Sequence, residues 1–425
     1  MTGVEMNINT KKESEPFAHF ITGFLKWAGI ALLVGAVGGV IGALFYALVS
    51  GVAEFRGKYP NIIFLMPVGG LVIAHLYRIN KMSDNGGTNQ VISSVRDKDH
   101  PPVIIAPLIF VSTAITSLVG GSAGKEGASL QLGGSIGSAV GKLFRLDEKD
   151  MSVVVMCGMS AVFSAVFGTP LTAAIFTIEV ISVGQLYYAA LLPCLASSIT
   201  AFGVSGLFGT IPERFSGVAV PAFSVENTAK IVLLGGLCAL LSIAFCISMK
   251  ATARYIKSLL KNVYIRMILG SVVVVVLTLA VGSQKYNGTG MNIVEQAVLQ
   301  GQAEPWDFAL KLVFTAISLA VGFRAGEIVP VFAVGASFGC VAGSLLGVDP
   351  GFAAAIGLVA TFCGAVNCPV ASIFLSIELF GGEGAVFFAV ACAVSFALSG
   401  YYGLYSSQKI VYSKLTARFI DRTAK

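Results

Sequence analysis

Long apolar runs alternate with short polar or glycine-rich breaks along almost the whole chain. Runs cover about 21–50 and 61–78, a shorter one begins near Asn85, and others lie at about 103–120, 129–143, 150–166 and 169–207. A polar stretch around Pro212–Lys230 interrupts the series. It resumes at about 231–255 and 264–282 and continues through 290–302, 306–323, 328–346, 350–366, 368–381 and 384–402. A helix needs about 20 residues to cross a 30 Å hydrocarbon core, and several runs fall short of that. Short, glycine-interrupted segments among long ones indicate broken helices whose ends meet inside protein, around a cavity. The pattern predicts an all-α polytopic membrane protein with its membrane domain over residues 21–410. A loose, cytoplasmic tail of residues 1–20 precedes that domain, and a cytoplasmic remnant of residues 411–425 follows it.

Internal repetition then predicts how the domain is divided. Gly168-Thr169-Pro170, followed by Ile175-Phe176-Thr177-Ile178-Glu179, matches Asn367-Cys368-Pro369, followed by Ile373-Phe374-Leu375-Ser376-Ile377-Glu378. Gly133, Gly137 and Gly141 match Gly335, Gly339 and Gly343, and Gly87-Thr88-Asn89-Gln90-Val91 resembles Gly290-Met291-Asn292-Ile293-Val294. Three ordered matches at nearly constant spacing point to two halves, about 21–210 and 228–410. Inverted halves of this kind place a transported substrate at their interface near the bilayer midplane.

Composition strengthens the membrane reading. Hydrophobic residues make up 56% of the chain and charged residues 12%, with a mean hydropathy of +0.84. A soluble domain carries about 25% charged residues, so this supply cannot keep such a surface wet. The net charge of +6 sits in chain ends and loops, for example Lys250, Arg254, Lys257 and Lys261, then Lys414, Arg418, Arg422 and Lys425. That placement fits the cytoplasmic bias of Lys and Arg, puts both termini in the cytoplasm, and suggests no nucleic-acid partner. No apolar signal-peptide core opens the chain. The eight cysteines lie mostly in apolar runs, where Cys packs as a small hydrophobe, and no disulfide is expected. His19, His75 and His100 have no second ligand at helical spacing, so neither metal nor cofactor is implied.

Three glycine-rich breaks at helix starts carry the candidate chemistry. They are Asp84-Asn85-Gly86-Gly87-Thr88-Asn89, Gly121-Ser122-Ala123-Gly124-Lys125-Glu126-Gly127-Ala128, and Gly322-Phe323-Arg324-Ala325-Gly326-Glu327-Ile328-Val329-Pro330. A helix N-terminus offers unpaired N–H groups and about half a positive charge, so it attracts an anion with no cationic side chain. Partial charges from several helices bind an anion reversibly, as transport requires.

These motifs resemble the CLC family of anion channels and proton-coupled anion transporters, whose second and third signatures read G-[KR]-E-G-P and G-x-F-x-P. The matching residues are Gly124-Lys125-Glu126-Gly127-Ala128 and Gly326-Glu327-Ile328-Val329-Pro330, with family-like flanks at Gln131–Gly137 and Phe167–Leu171. The resemblance covers about residues 25–410 and implies the CLC fold, a homodimer with one pathway per subunit, and a place in a bacterial plasma membrane. It implies that Glu126 is the gating, proton-transferring glutamate, although pairing with Lys125 at a loop is the plainer reading. It also implies an anion-facing tyrosine at Tyr405, with Tyr401 and Tyr402 as alternatives. Anion contacts are expected from Asn85, Gly86, Glu327, Ile328 and Tyr405.

Departures from the family pattern suggest a subtype. Asn85 stands where the family's first signature supplies serine, unless it only caps its helix. Glu327 occupies a usually apolar position, as a proton relay or as a carboxylate paired with Arg324 or a backbone donor. Val180 stands where chloride/proton exchangers carry an inner glutamate, while Glu179 and Glu378, at equivalent repeat positions, suggest a structural role at helix ends. Together these changes resemble the fluoride-exporting branch. The expected function is fluoride/proton antiport, with halide, proton and membrane lipid as partners; a chloride channel or proton-coupled chloride transporter is the alternative. A membrane enzyme or receptor is the rival class, and no nucleophile–base set or nucleotide loop supports it. About twenty residues follow Tyr405, which leaves no room for the cytoplasmic nucleotide-binding domain pair that some CLC proteins append.

Overall fold

Among the described residues, eight α-helices make up the first half: α1 (Phe17–Lys58), α2 (Met66–Ile79), α3 (Thr88–Asp97), α4 (Ile105–Leu118), α5 (Glu126–Leu143), α6 (Glu148–Phe167), α7 (Pro170–Glu179) and α8 (Leu191–Leu207). Eight more make up the second: α9 (Val225–Leu259), α10 (Val263–Val281), α11 (Met291–Leu299), α12 (Asp307–Val321), α13 (Ile328–Leu345), α14 (Pro350–Val366), α15 (Pro369–Phe380) and α16 (Ala385–Leu398). This computed structural model describes residues 17–83, 85–97, 100–416 and 418–425, with side chains from Ile21 onward. Most of the tail expected at residues 1–20 lies outside the described residues, and from Phe17 the chain is helical.

Seven helical stretches among the described residues are long and apolar enough to cross a membrane, whereas α7, α14, α15 and α16 are shorter. Lipid-facing surfaces show as apolar side chains left open. On α9 these include Leu233 and Leu240, and on α10 Val273, Val276 and Leu279. The centre is different: α6 and α14 are buried almost throughout and form the cores of their halves.

The glycine repeats explain how these core helices pack. A Cβ on Gly133 would lie 2.1 Å from the Gly158 carbonyl oxygen, and one on Gly137 would lie 2.4 Å from that of Val154. In the second half a Cβ on Gly335 or Gly339 would lie 2.4 Å from the carbonyl oxygen of Gly357 or Ala353. Glycine at four-residue spacing lets α5 press its backbone against α6, and α13 against α14. Hydroxyls add polar contacts, with Ser164 donating to the Ser198 carbonyl at 2.8 Å and Ser197 to that of Cys157 at 3.0 Å.

Both halves also punctuate their helices alike. Asp147 and Asp349 cap α6 and α14 by accepting from the N–H of Asp150 and Phe352 at 2.8 and 2.9 Å. Each of these helices ends in a left-handed residue, Gly168 at φ 79° and Asn367 at φ 58°, and the next begins on a proline. Glu378 then reaches across to the start of α7, its oxygens accepting from Leu171 N–H at 2.9 Å and Thr172 N–H at 2.8 Å. Glu179 does the same for α15, accepting from Val370 N–H at 3.1 Å and Ala371 N–H at 2.8 Å. The two glutamates cap each other's partner helix.

Two features depart from the sequence pattern. The run expected at 169–207 is split, because α7 stops at Glu179 and α8 starts at Leu191. Val180, Ile181 and Val183 remain buried in the irregular connection, so its apolar character hid the break. The last residues build a small sheet within an otherwise helical fold. Its order is β1 (Ser182–Val183), β2 (Lys409–Tyr412) and β3 (Phe419–Thr423), parallel then antiparallel.

The crossed caps differ in exposure. Glu179 is 6% exposed and serves one buried and one part-buried donor, whereas Glu378 serves one part-buried donor and the exposed Leu171 N–H. Each buried donor left unpaired costs about 1–3 kcal/mol. Glu179→Ala is therefore expected to lower the thermal unfolding midpoint in detergent clearly more than Glu378→Ala, and equal losses would refute the crossed-cap account.

Candidate functional site

The second and third breaks meet. Gly124 and Gly326, equivalent positions of the two halves, form an isolated antiparallel bridge. Each donates its N–H to the other's carbonyl at 2.7 Å. A Cβ on Gly326 would lie 2.4 Å from the Gly127 nitrogen, so glycine is what permits the approach. Helices α5 and α13 begin at this bridge, and neither start has a side-chain cap. Their first-turn N–H groups, around Gly127 and Ile328, are thus left for another acceptor.

The first break is tied to the same point. Thr88 Oγ1 at the start of α3 donates to the Gly127 carbonyl at 3.3 Å and accepts from Gln131 Nε2 at 3.3 Å. Arg324, from the third break, donates to the carbonyl oxygens of Asn85 and Ser83 at 3.1 and 3.3 Å and lies 4.6 Å over the Tyr77 ring. The three breaks, scattered in sequence, form one assembly.

The acidic residues lie within it. Glu126 is fully buried; Oε2 accepts the Lys125 backbone N–H at 3.0 Å, and Oε1 has no hydrogen-bond partner. The Lys125 ammonium points elsewhere, 3.8 Å from Glu213 Oε1 and 4.1 Å over the Tyr46 ring. Glu327, immediately before α13, turns toward α5: a Cβ on Gly127 would lie 3.1 Å from its Oε2, an atom also buried without a partner.

Asn85 is only half a cap. Its Oδ1 accepts the Gly87 N–H at 2.6 Å in a turn before α3, while Nδ2 is buried without a partner. Gly86 is exposed, and with Asn85 it lines two cavities of about 480 Å³ each. Lys257, Lys261, Arg266 and Arg324 line the first of these cavities, which gives the approach to Asn85 a positive wall. Ile328 is buried at the start of α13.

Of the late tyrosines, Tyr405 is fully buried, with a hydroxyl that has no partner. Tyr401 instead donates its hydroxyl to Ser413 at 3.1 Å. The loop bearing Tyr405 is pinned to the end of α14, where Leu404 N–H donates to the Ala365 carbonyl at 2.7 Å and Gln408 Nε2 to that of Val366 at 2.9 Å. The Tyr405 hydroxyl and the Glu327 carboxyl lie within electrostatic range of each other.

Lys311 is a charge that sequence reasoning passed over. It lies on α12, fully buried, and donates to Ser122 Oγ at 2.9 Å and to the carbonyls of Tyr286 and Gly288 at 3.2 and 2.7 Å. The lysine inside Ala309-Leu310-Lys311-Leu312-Val313 was a legible signal, since a charge in an apolar helix demands a partner. Val180 packs in the core, and Glu179 is engaged as a cap.

Inverted halves whose broken helices aim uncapped N-termini at one buried point define a membrane protein of the anion channel and transporter class. The chain belongs to the voltage gated chloride channel family, the CLC family, whose profile matches residues 69–400. It is 34% identical over 396 residues to a chloride/fluoride channel protein of Pseudomonas syringae pv. tomato, covering 92% of this chain and 87% of that one. An H(+)/Cl(-) exchange transporter, ClcA of Vibrio campbellii, is 22% identical over 381 residues, covering 82% of this chain and 81% of that one. Among solved structures, a CLC-type fluoride/proton antiporter superposes with a TM-score of 0.88 at 28% identity, covering 93% of this chain and 99% of that one. A slow cyanobacterial Cl-/H+ antiporter, at 18% identity and a TM-score of 0.77, shares the fold; 88% of this chain and 94% of that one are covered.

Proposed function

We propose that this protein exports fluoride in exchange for protons, as a homodimer in a bacterial plasma membrane with both termini in the cytoplasm. The observation that carries the reading is that four of the buried polar atoms without hydrogen-bond partners, Asn85 Nδ2, Glu126 Oε1, Glu327 Oε2 and Tyr405 Oη, belong to the joined breaks and the Tyr405 loop. Unsatisfied buried polar groups are rare and call for a reason. A small anion that accepts from the amide and the hydroxyl, and a proton that visits the carboxylates, supplies one. Fluoride holds its water tightly, so its site must offer strong donors. The Asn85 amide, the Tyr405 hydroxyl and the open N–H groups near Gly86 and Ile328 are such donors.

Coupling follows from competition for the same positive helix ends. Glu126 and Glu327 lie at the starts of α5 and α13, where a carboxylate is itself a favourable anion. Fluoride entering the site displaces a carboxylate, and a displaced carboxylate in low dielectric takes up a proton. Glu126 serves as the gate and proton carrier. Glu327 serves as a second carrier, in place of the inner glutamate that Val180 replaces. The likeness to the fluoride/proton antiporter structure supports this reading. Chloride transport or conductance is the competing reading, favoured by the name of the Pseudomonas relative, a channel. Liposomes loaded with fluoride or chloride, followed for anion efflux and proton uptake together, decide between them: anion efflux without proton movement would refute antiport.

Three substitutions test the roles. Glu126→Gln mimics only the protonated acid, so uphill proton uptake driven by a fluoride gradient is expected to vanish. Asn85→Ser is expected to lower the fluoride-to-chloride flux ratio about tenfold, the equivalent of 1.4 kcal/mol in relative affinity. An unchanged ratio would reduce Asn85 to a turn residue. Glu327→Gln is expected to slow coupled flux while the purified protein keeps its thermal stability. Full, coupled flux in a stable variant would remove Glu327 from the proton path.

A further inference from the structure

We infer that Glu213, in the linker between the two halves, is a positioning residue of the gate that holds the Lys125 ammonium away from the Glu126 carboxylate. The inference rests on the gating role proposed for Glu126. Adjacent Lys125 and Glu126 carry opposite charges, and in a buried corner they would pair. They do not pair through their side chains, because Lys125 Nζ lies 3.8 Å from Glu213 Oε1 and 4.1 Å over the Tyr46 ring.

The linker is anchored so that it can deliver this carboxylate. Pro212 packs on Gly168 at the end of α6, where a Cβ would lie 2.5 Å from the Pro212 Cα. Glu213 N–H donates to the Phe167 carbonyl at 3.4 Å, and Phe215 N–H donates to that of Leu379 at 2.8 Å. The Phe215 ring stacks on Phe380 with centroids 5.6 Å apart. A segment that reads in sequence as a polar spacer is thus pinned to the ends of α6 and α15, with its acid turned to the gate.

The charged and titratable groups at this corner come from several elements. Tyr46 faces Lys125 from α1, Glu213 faces it from the linker, and Glu295 of α11 lies within electrostatic range of Glu213. Glu327 approaches the start of α5 from α13. Glu213 balances Lys125, which leaves Glu126 with a single backbone donor and no counter-ion bound to its side chain. In that state Glu126 can take up and release a proton and move with it.

Two substitutions with opposite signs test this, read as the pH at half-maximal fluoride flux in liposomes. With Glu213→Gln, an unopposed Lys125 stabilises the Glu126 carboxylate, so the midpoint shifts toward acid by about one pH unit, a tenfold change in proton affinity. Lys125→Met removes the cation, so the midpoint shifts toward alkali. The double variant returns close to the wild-type profile, which loss of a merely structural contact would not produce. A Glu213→Gln profile that coincides with wild type, or a Lys125→Met shift in the same direction as Glu213→Gln, overturns the inference. If Glu213→Gln does not fold, the Lys125→Met shift alone decides, with an unmoved or acid-shifted profile counting against. Wild-type anion flux without proton movement would instead refute antiport, and the relative pH midpoints would still be readable.

Discussion

The reciprocal pair of hydrogen bonds between Gly124 and Gly326 is the constraint on which the site depends. It joins equivalent points of the two halves at a distance only glycine allows, and it brings the starts of α5 and α13 together. Once joined, two helix N-termini that would each attract an anion weakly act on one buried point. Thr88 and Arg324 then tie the first break to the same place, so three helix starts share a centre.

Several core helices have first-turn N–H groups satisfied by acids or amides: Asp147 on α6, Asp349 on α14, Asn262 on α10, and the crossed glutamates on α7 and α15. The helices that face the centre, α5 and α13, have none. A cap would have occupied the donors an anion needs. Leaving them open inside protein is costly unless something else accepts from them, and the glutamates at these starts are suited to do so when no anion is bound.

The halves repeat in backbone and diverge in chemistry. Lys125 and Glu327 hold equivalent places beside the bridge, yet Lys125 turns outward to Glu213 while Glu327 turns inward to α5. The break before α3 presents the Asn85 amide, whereas its counterpart before α11 surrenders the Tyr286 and Gly288 carbonyls to the Lys311 ammonium. A symmetric frame therefore surrounds an asymmetric path.

Membrane class, broken helices, the two halves and the three glycine breaks were all legible in the sequence, because each depends on hydropathy, on spacing, or on the steric privilege of glycine along a local stretch of chain. The equivalence of Glu179 and Glu378 was legible too, as a hint of helix-end roles. Tertiary structure alone decided which helix each would cap, since both reach across to the other half. It alone parted Lys125 from Glu126, buried the Tyr405 hydroxyl without a partner while pairing that of Tyr401, and folded the last residues against β1. It also split the run at 169–207, where burial kept the connection as apolar as a helix. Most of those outcomes depend on partners far apart in the chain, and pairings at long range leave no periodic trace in a single sequence.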